Sequence, residues 1–371
     1  MLFVSSENLK IGMRLAKPIF NRKGVMLYDR NSKLTSQSIA SIRNFGIIGI
    51  YILEPAEPVP PMTEEDREFE RFQTMSVFTL QEIMQDIKDG RNPKKLNKLV
   101  AEILAIFGTY QGKITFHQNI RSAEDNVYKH SLNTAILTAC ISGKLSFSMI
   151  QQQNMVTAAL LHDIGSLSLP SIIMRKPTQE LTDDENLLIN QYRENGYHMI
   201  KENCSLDATV MKYMSAIIRE LKNMNSIRTL ENTPLETEVL KAAYMYDTLT
   251  AMKYGEDPKS DIAAYRYLRH PRNRMNQMVV TALTRAINIV PVGCSVQFEN
   301  GAKGIVLTEN EEDILRPFVL NFSNNKIYNL ADGKTYEKFQ IKDVLKTLDN
   351  RYIMMDIYTK YVKQLAEGTV E

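Results

Sequence analysis

The sequence predicts a mainly α fold: a helical bundle carrying a small strand-rich module at its front and a short β element near its end. Three observations carry this reading. From Thr63 to about Ile289 apolar residues recur at spacings of three and four, the period of helices that bury one face. Ahead of it stands Glu54-Pro-Ala-Glu-Pro-Val-Pro-Pro61, a stiff break, because proline lacks the amide donor and fixes φ. After Val290-Pro-Val-Gly293 the period falls to two, as in strands with alternating faces. The chain therefore divides into a module over 1–55, a linker over 56–62, the bundle over 63–289 and a closing region over 290–371.

In the front module, Arg14 to Phe20, Val25 to Tyr28 and Ile47 to Leu53 are short apolar runs. Asn21-Arg-Lys-Gly24 between the first two reads as a hairpin turn, with the glycine supplying a positive φ. Ser36 to Phe45 has helical spacing, with Thr35 or Ser36 as N-cap. Thr63 is placed to cap a long helix whose first turn holds Glu64-Glu-Asp66, favourable charges at a helix amino end. A second helix follows Asn92-Pro93, with later breaks near Gly112, Gly143, Ser166 to Pro177, Asn223 to Thr233 and Gly255 to Lys259. In the closing region Asn300-Gly301 signals a hairpin, and a last helix is expected from about Ile341 to Leu365.

Composition excludes several classes. With 371 residues, 44% hydrophobic and 24% charged, the chain is not disordered as a whole. Forty-five basic against forty-three acidic residues leave a net charge of +2, too little to attract nucleic acid or an anionic membrane along the whole chain. Three widely spaced cysteines, Cys140, Cys204 and Cys294, fit a reducing compartment better than a disulfide framework. No run approaches the roughly twenty apolar residues that cross a bilayer, and Met1-Leu-Phe-Val gives way at once to polar residues, so a cytoplasmic protein is expected.

Five histidines are present: His117, His130, His162, His198 and His270. His162 is followed by Asp163 at the end of an apolar run, within Ala158-Ala-Leu-Leu-His-Asp-Ile-Gly165. An adjacent imidazole and carboxylate can face one divalent ion, the carboxylate bridging to a second. By itself such a pair also serves as a polar step at a helix end. His117 and His198 read as surface or cap residues, and Arg266 to Arg274 as a solvated basic surface or a phosphate contact. The methionines, Met211, Met214, Met224, Met245 and Met252 among them, read as core filler or an adaptable surface.

Taken with Tyr128-Lys-His130-Ser-Leu-Asn133 before it, and with Pro170-Ser-Ile-Ile-Met-Arg-Lys-Pro177 and Leu181-Thr-Asp-Asp-Glu185 after it, the His-Asp-Ile-Gly segment resembles the HD-GYP branch of the HD phosphohydrolases. Ala242-Ala-Tyr-Met-Tyr-Asp-Thr-Leu-Thr250 and Val290-Pro-Val-Gly293 look like that family's later segments. The resemblance implies an HD-type bundle and a site for cyclic di-GMP hydrolysis with two or three metal ions. It gives His130, His162 and Asp163 as ligands, with Asp163 bridging, and Asp247 as the match to a further family aspartate.

The rest of the pattern departs. Ser166 stands where the family has a lysine for substrate phosphate, the family's His-Pro step falls at Tyr192-Arg193, and Tyr244 stands at an expected aspartate. No histidine lies between His198 and His270 and no glycine between Gly196 and Gly255, so the later His pair and the Gly-Tyr-Pro loop are absent in any register. Three groups are too few for a two-metal centre. The expectation is therefore a silent HD-GYP-like signalling protein in bacteria that needs no cofactor. Tyr192 and Tyr244 would fill the former metal pocket, their hydroxyls bonded to His130, His162 or Asp163. The alternative is an active phosphodiesterase holding one divalent ion, iron or manganese, at His130, His162, Asp163 and Asp247. Expected partners are a protein or a cyclic dinucleotide, with a homodimer through Thr63 to Asp89 possible, and neither membrane nor nucleic acid.

Overall fold

The computed structural model describes residues 2–45, 47, 49–53, 62–116, 118, 121, 125–223, 233–251 and 258–345. The front module is built from β1 (Leu2–Ser5), β2 (Arg14–Leu15), β3 (Ile19–Phe20), β4 (Met26–Tyr28), α1 (Ser36–Asn44) and β5 (Gly49–Leu53). β5 lies between β1 and β2, antiparallel to both, with Val4 opposite Ile50. β3 and β4 form the hairpin around Asn21–Gly24, where Gly24 has φ +73°. Thr35 caps α1 through a reciprocal pair of bonds with Ser38. Leu15, Ile42, Ile50 and Ile52 give this module its own apolar core.

The bundle begins with α2 (Glu64–Lys88), capped by Thr63 and Asp66 in the same reciprocal manner, and continues with α3 (Leu96–Ile103), which loosens into a π-helical turn over Leu104–Gly108. α4 (Asn126–Lys144) is its axis. Every residue from His130 to Ser142 is buried, as expected of a helix whose whole circumference meets neighbours. Packed against it are α2, α5 (Met149–Leu161), α9 (Leu235–Thr250) and α11 (Gln277–Ala286). Between these in sequence come α6 (Ser171–Met174), α7 (Asp183–Asn203), α8 (Ala208–Asn223) and α10 (Asp261–Arg269). Met214 and Met245 are fully enclosed in the core and Met211 packs against it. Met224 and Met252 lie outside the described residues.

The module is anchored on α2. Lys17 pairs with Glu70, and Arg22 lies 4.9 Å above the Phe78 ring. A Cβ on Gly24 would run into the Met75 side chain, so the hairpin turn sits directly on that helix.

The closing β element is an antiparallel sheet of five strands among the described residues. They are β6 (Ser295–Phe298), β7 (Lys303–Thr308), β8 (Phe318–Asn321), β9 (Ile327–Asn329) and β10 (Ile341–Val344), in the order β10-β6-β7-β8-β9. Gly301, with φ +83°, turns the hairpin between β6 and β7. Val296, Phe298, Val306 and Val319 join the core of the bundle, so the sheet shares it. The short α12 (Gly333–Lys338) precedes β10. A helix starting at Ile341 was expected here. That segment is instead a strand, because Ile341 is buried against β6 while Lys342 faces out, an alternation that a helical period does not produce. Residues 346–371 lie outside the described part. Arg266 of α10 donates to the carbonyls of Ile341 and Lys342 in that edge strand.

One contact positions α7. A Cβ on Gly165 would overlap the Tyr192 carbonyl, and a Cβ on Gly196 would lie 2.5 Å from the Gly165 amide nitrogen. The glycine of the His-Asp-Ile-Gly segment thus lets α7 lie backbone to backbone against the turn after α5. Gly165→Ala and Gly196→Ala are each expected to destabilise by about 1–3 kcal/mol through overpacking, the latter despite the roughly 1 kcal/mol that alanine gains over glycine inside a helix. Urea unfolding measures this. Gly333→Ala, which meets no atom within 4 Å, serves as the neutral control.

Candidate functional site

Four helices converge on one buried cluster. His130 and Asn133 come from consecutive turns of α4, and His162 and Asp163 from the carboxyl end of α5, where the chain tightens into the 3-10 turn Ile164–Ser168. Arg193 comes from α7, and Tyr244 and Asp247, three residues apart, from α9. All four residues named as possible ligands are buried: His130, His162, Asp163 and Asp247.

Asp247 has no solvent access and is surrounded by donors. One carboxylate oxygen, Oδ1, pairs with Arg121 and accepts from Gln118 Nε2 and Asn133 Nδ2, both at 3.0 Å. The other, Oδ2, is 2.6 Å from His130 Nδ1. Gln118 Oε1 accepts from Arg121 and Asn133, and Asn133 Oδ1 accepts from the buried Gln73 of α2 at 3.0 Å. Burial alone would raise the pKa of Asp247. Arg121 and the His130 bond outweigh it and hold the carboxyl well below its ordinary range.

Asp163 is held differently. Its Oδ1 accepts from Ser166 Oγ at 2.6 Å and from Arg193 Nε at 3.0 Å. Ser166, at the expected lysine position, therefore orients the aspartate. Burial again opposes the charge, and the Arg193 guanidinium with the nearby imidazoles brings the pKa below its usual value. Arg193 Nη2 donates to Tyr244 OH at 2.8 Å. The Tyr244 ring stands edge-on to both imidazoles, with centroids 4.6 Å from His130 and 5.6 Å from His162. Burial pushes its phenol pKa up, so it stays protonated.

Both histidines have an assignable tautomer. His162 Nδ1 is 2.8 Å from the Ala159 carbonyl, which only accepts, and His130 Nδ1 faces a carboxylate. In the neutral imidazoles Nδ1 carries the proton, so each Nε2 presents a lone pair, and neither Nε2 has a partner. Burial pushes the His162 pKa down to about 4 despite the attraction of Asp163.

The expected filling of the pocket is thus only partly what the geometry gives. Tyr244 lies between the imidazoles, but its hydroxyl meets Arg193. Tyr192 is half-buried and contributes its backbone at Gly165, while the next residue sends its side chain to Asp163. Sequence reasoning missed Arg193, Arg121 and Gln118. The signal for Arg193 was its adjacency to Tyr192, and for Asn133 its spacing of three from His130 on a buried face. His117 lies outside the described residues. His198 is exposed, and His270 caps a short 3-10 turn by accepting from the Arg272 amide at 3.2 Å. In the basic cluster, Arg266 is spent on β10 and Arg269 on Asp313 at 3.2 Å.

The two imidazoles suit a metal, because their Nδ1 atoms are anchored as in metal-binding histidines. The carboxylates do not. Asp163 already faces a guanidinium, and Asp247 gives one oxygen to His130 and the other to Arg121. Among the described residues, no group of three or more histidine, cysteine or acidic side chains could hold an ion. The donor set as arranged therefore does not fit the two-metal centre that the sequence resemblance implies.

A family model described as HD domain matches residues 115–277, the segment that contributes every side chain of the cluster except Gln73. That part of the bundle is thus similar to an HD domain. The chain is 25% identical over 226 residues to a cyclic di-GMP phosphodiesterase of Pseudomonas aeruginosa, covering 60% of this chain and 54% of that protein. It is 23% identical over 243 residues to the cyclic di-GMP phosphodiesterase PdeB of Borreliella burgdorferi, covering 62% of this chain and 63% of that one. The matches thus span between about half and just under two thirds of these curated relatives. A solved HDG"Y"P protein from Bdellovibrio bacteriovorus aligns with a TM-score of 0.45 at 10% identity, covering 76% of this chain and 97% of that one. The HD-domain match agrees with the resemblance to HD phosphohydrolases read from the sequence, and no helix among the described residues is long and apolar enough to cross a membrane.

Two outcomes follow from the electrostatics of the cluster. His162 has a folded pKa below its unfolded value, so between pH 6.5 and about 4 the unfolded chain takes up a proton that the folded chain refuses. Stability should fall over that window on acidification, by at most about 3 kcal/mol. Asp163 and Asp247 are also depressed, and their contribution is lost at still lower pH. Urea unfolding at pH 7, 5.5 and 4.5 should show a shallower loss in His162→Gln than in the native chain. Equal slopes would contradict the account. Separately, Arg121→Met leaves a buried carboxylate uncompensated and is expected to cost about 3–5 kcal/mol. Arg121→Met with Asp247→Asn should recover part of that loss in the same measurement.

Proposed function

We propose that this chain is a catalytically silent HD-GYP-like protein of bacterial cyclic di-GMP signalling, acting in the cytoplasm by binding a partner protein or the cyclic dinucleotide. The link to cyclic di-GMP comes from the relatives, whose names state that activity. The silent reading is supported above all by the ion pair between Arg193 and Asp163, the aspartate that bridges metals in the family pattern. Hydrolysis at a two-metal centre needs the ions to activate water and to neutralise charge on the leaving oxygen. Here a guanidinium and a phenol ring lie where ligands would have to converge. Ser166, in place of a lysine, offers no cation to a substrate phosphate.

A second reading, an active phosphodiesterase with a reduced, single-ion site, is favoured by one observation: the bare Nε2 atoms of His130 and His162. One experiment separates the two. Protein purified without chelator is assayed for bound metal and for cyclic di-GMP hydrolysis in added Mn2+ or Fe2+. The silent reading expects no turnover above the uncatalysed background and less than stoichiometric metal. Turnover that disappears in Asp163→Asn overturns it.

A further inference from the structure

We infer that the outer face of the closing sheet is a docking surface for the carboxyl-terminal segment of the same chain, residues 346–371, laid across it as an amphipathic helix. Both faces of the sheet carry apolar side chains. Val296, Phe298, Val306 and Val319 turn one of them to the bundle. The other holds Ile305, Leu307 and Leu320, with Phe318, Phe322 and Ile327 around them. Ile305, Leu307 and Leu320 keep only 3%, 1% and 1% of their surface exposed. Yet every apolar residue of their cluster belongs to β7, β8, β9 or the position directly after β8. Side chains standing side by side on one pleated surface do not cover one another's tips, and an apolar sheet face is closed by a second layer. Among the described residues, no buried or half-buried apolar side chain of another element supplies that layer.

The register shows where the chain leaves the sheet. Leu345, directly after β10, donates its amide to the Ser295 carbonyl at 2.8 Å. Ser295 stands opposite Ile305, Ile305 opposite Leu320 and Leu320 opposite Ile327, so these side chains form one row across the outer face. The next row back, Asp343, Gln297 and Lys303, is polar and confines the apolar area to the end at which the chain departs. β10 is two strand spacings from β7, about 10 Å, and a link of a few residues covers that distance at roughly 3.3 Å each. Beyond the link, a helical period puts Met354, Ile357, Tyr358, Tyr361 and Leu365 on one stripe, with Asp349, Asp356, Lys360, Lys363 and Glu367 on the opposite side. That stripe runs about 16 Å along a helix axis, and the face from β6 to β9 is about 14 Å wide. An apolar stripe backed by charges is the pattern of a helix with one side to cover and one to leave in water.

The chain has no tryptophan, so a single introduced indole reports on its own surroundings. Tyr358→Trp, on the stripe, and Lys363→Trp, on the charged side, are made in the full chain, and emission wavelength and acrylamide quenching are read. The expected result is a blue-shifted indole in Tyr358→Trp, quenched several-fold less than in Lys363→Trp. Ile327→Lys, which sets a charge into the half-buried rim of the face, should shift the Tyr358→Trp emission to the red and restore its quenching. Ser323→Lys, exposed in the turn before β9, should leave both unchanged. Equal, water-like emission from the two indoles overturns the inference. So does a protected Tyr358→Trp indole that Ile327→Lys leaves untouched while far-UV circular dichroism shows the helices intact. Should Ile327→Lys unfold the chain, Phe322→Ser takes its place and is read in the same way. A protected indole that becomes exposed on dilution, as a dimer dissociates in sedimentation, assigns the face to the tail of a second copy and overturns the placement within one chain.

Discussion

Two carboxylates lie among packed helices with almost no access to water, and the site is arranged around keeping them charged. Ionised groups in such places survive only when paired and hydrogen-bonded. Asp247 meets the condition through Arg121, His130, Asn133 and Gln118, and Asp163 through Arg193 and Ser166. Because Arg121 is itself inaccessible and Arg193 nearly so, neither pair is weakened by solvent as a surface ion pair would be. The consequence reaches the imidazoles: Asp247 fixes the tautomer of His130, and through it the direction of the bare nitrogen.

The same network ties the bundle together. Gln73 on α2, Asn133 on α4 and Asp247 on α9 form a chain of hydrogen bonds across three helices, and Glu70, one turn before Gln73, receives Lys17 from the front module. Module and polar cluster therefore hang from adjacent turns of one helix. The loss of any member leaves a buried donor or acceptor without a partner, which costs more than the bond itself contributes.

Much of this was legible in the sequence, and the limits have physical causes. The Thr35 and Thr63 caps, the glycine hairpins at Gly24 and Gly301, and the helical period of the bundle are local, so a short window of residues specifies them. The His-Asp pair was readable because both residues come from one turn. Arg193 was not, because which of two neighbouring residues on α7 points inward depends on the approach of α7 to Gly165, a contact between residues about thirty apart in the chain. Around Arg121 and Gln118 the sequence offers no hydrophobic period to read. At Ile341, the pairing that makes a strand involves β6, more than forty residues earlier, and a helical reading of the local spacing had no access to it.

The closing sheet has one further property. Its edge strand β10 would ordinarily offer a row of open carbonyls to any extended segment passing by, the usual route to unwanted stacking between copies. Arg266 reaches over from α10 and occupies the carbonyls of Ile341 and Lys342. An arginine that looked like part of a solvated basic surface thus covers carbonyls that would otherwise stand open to self-templating.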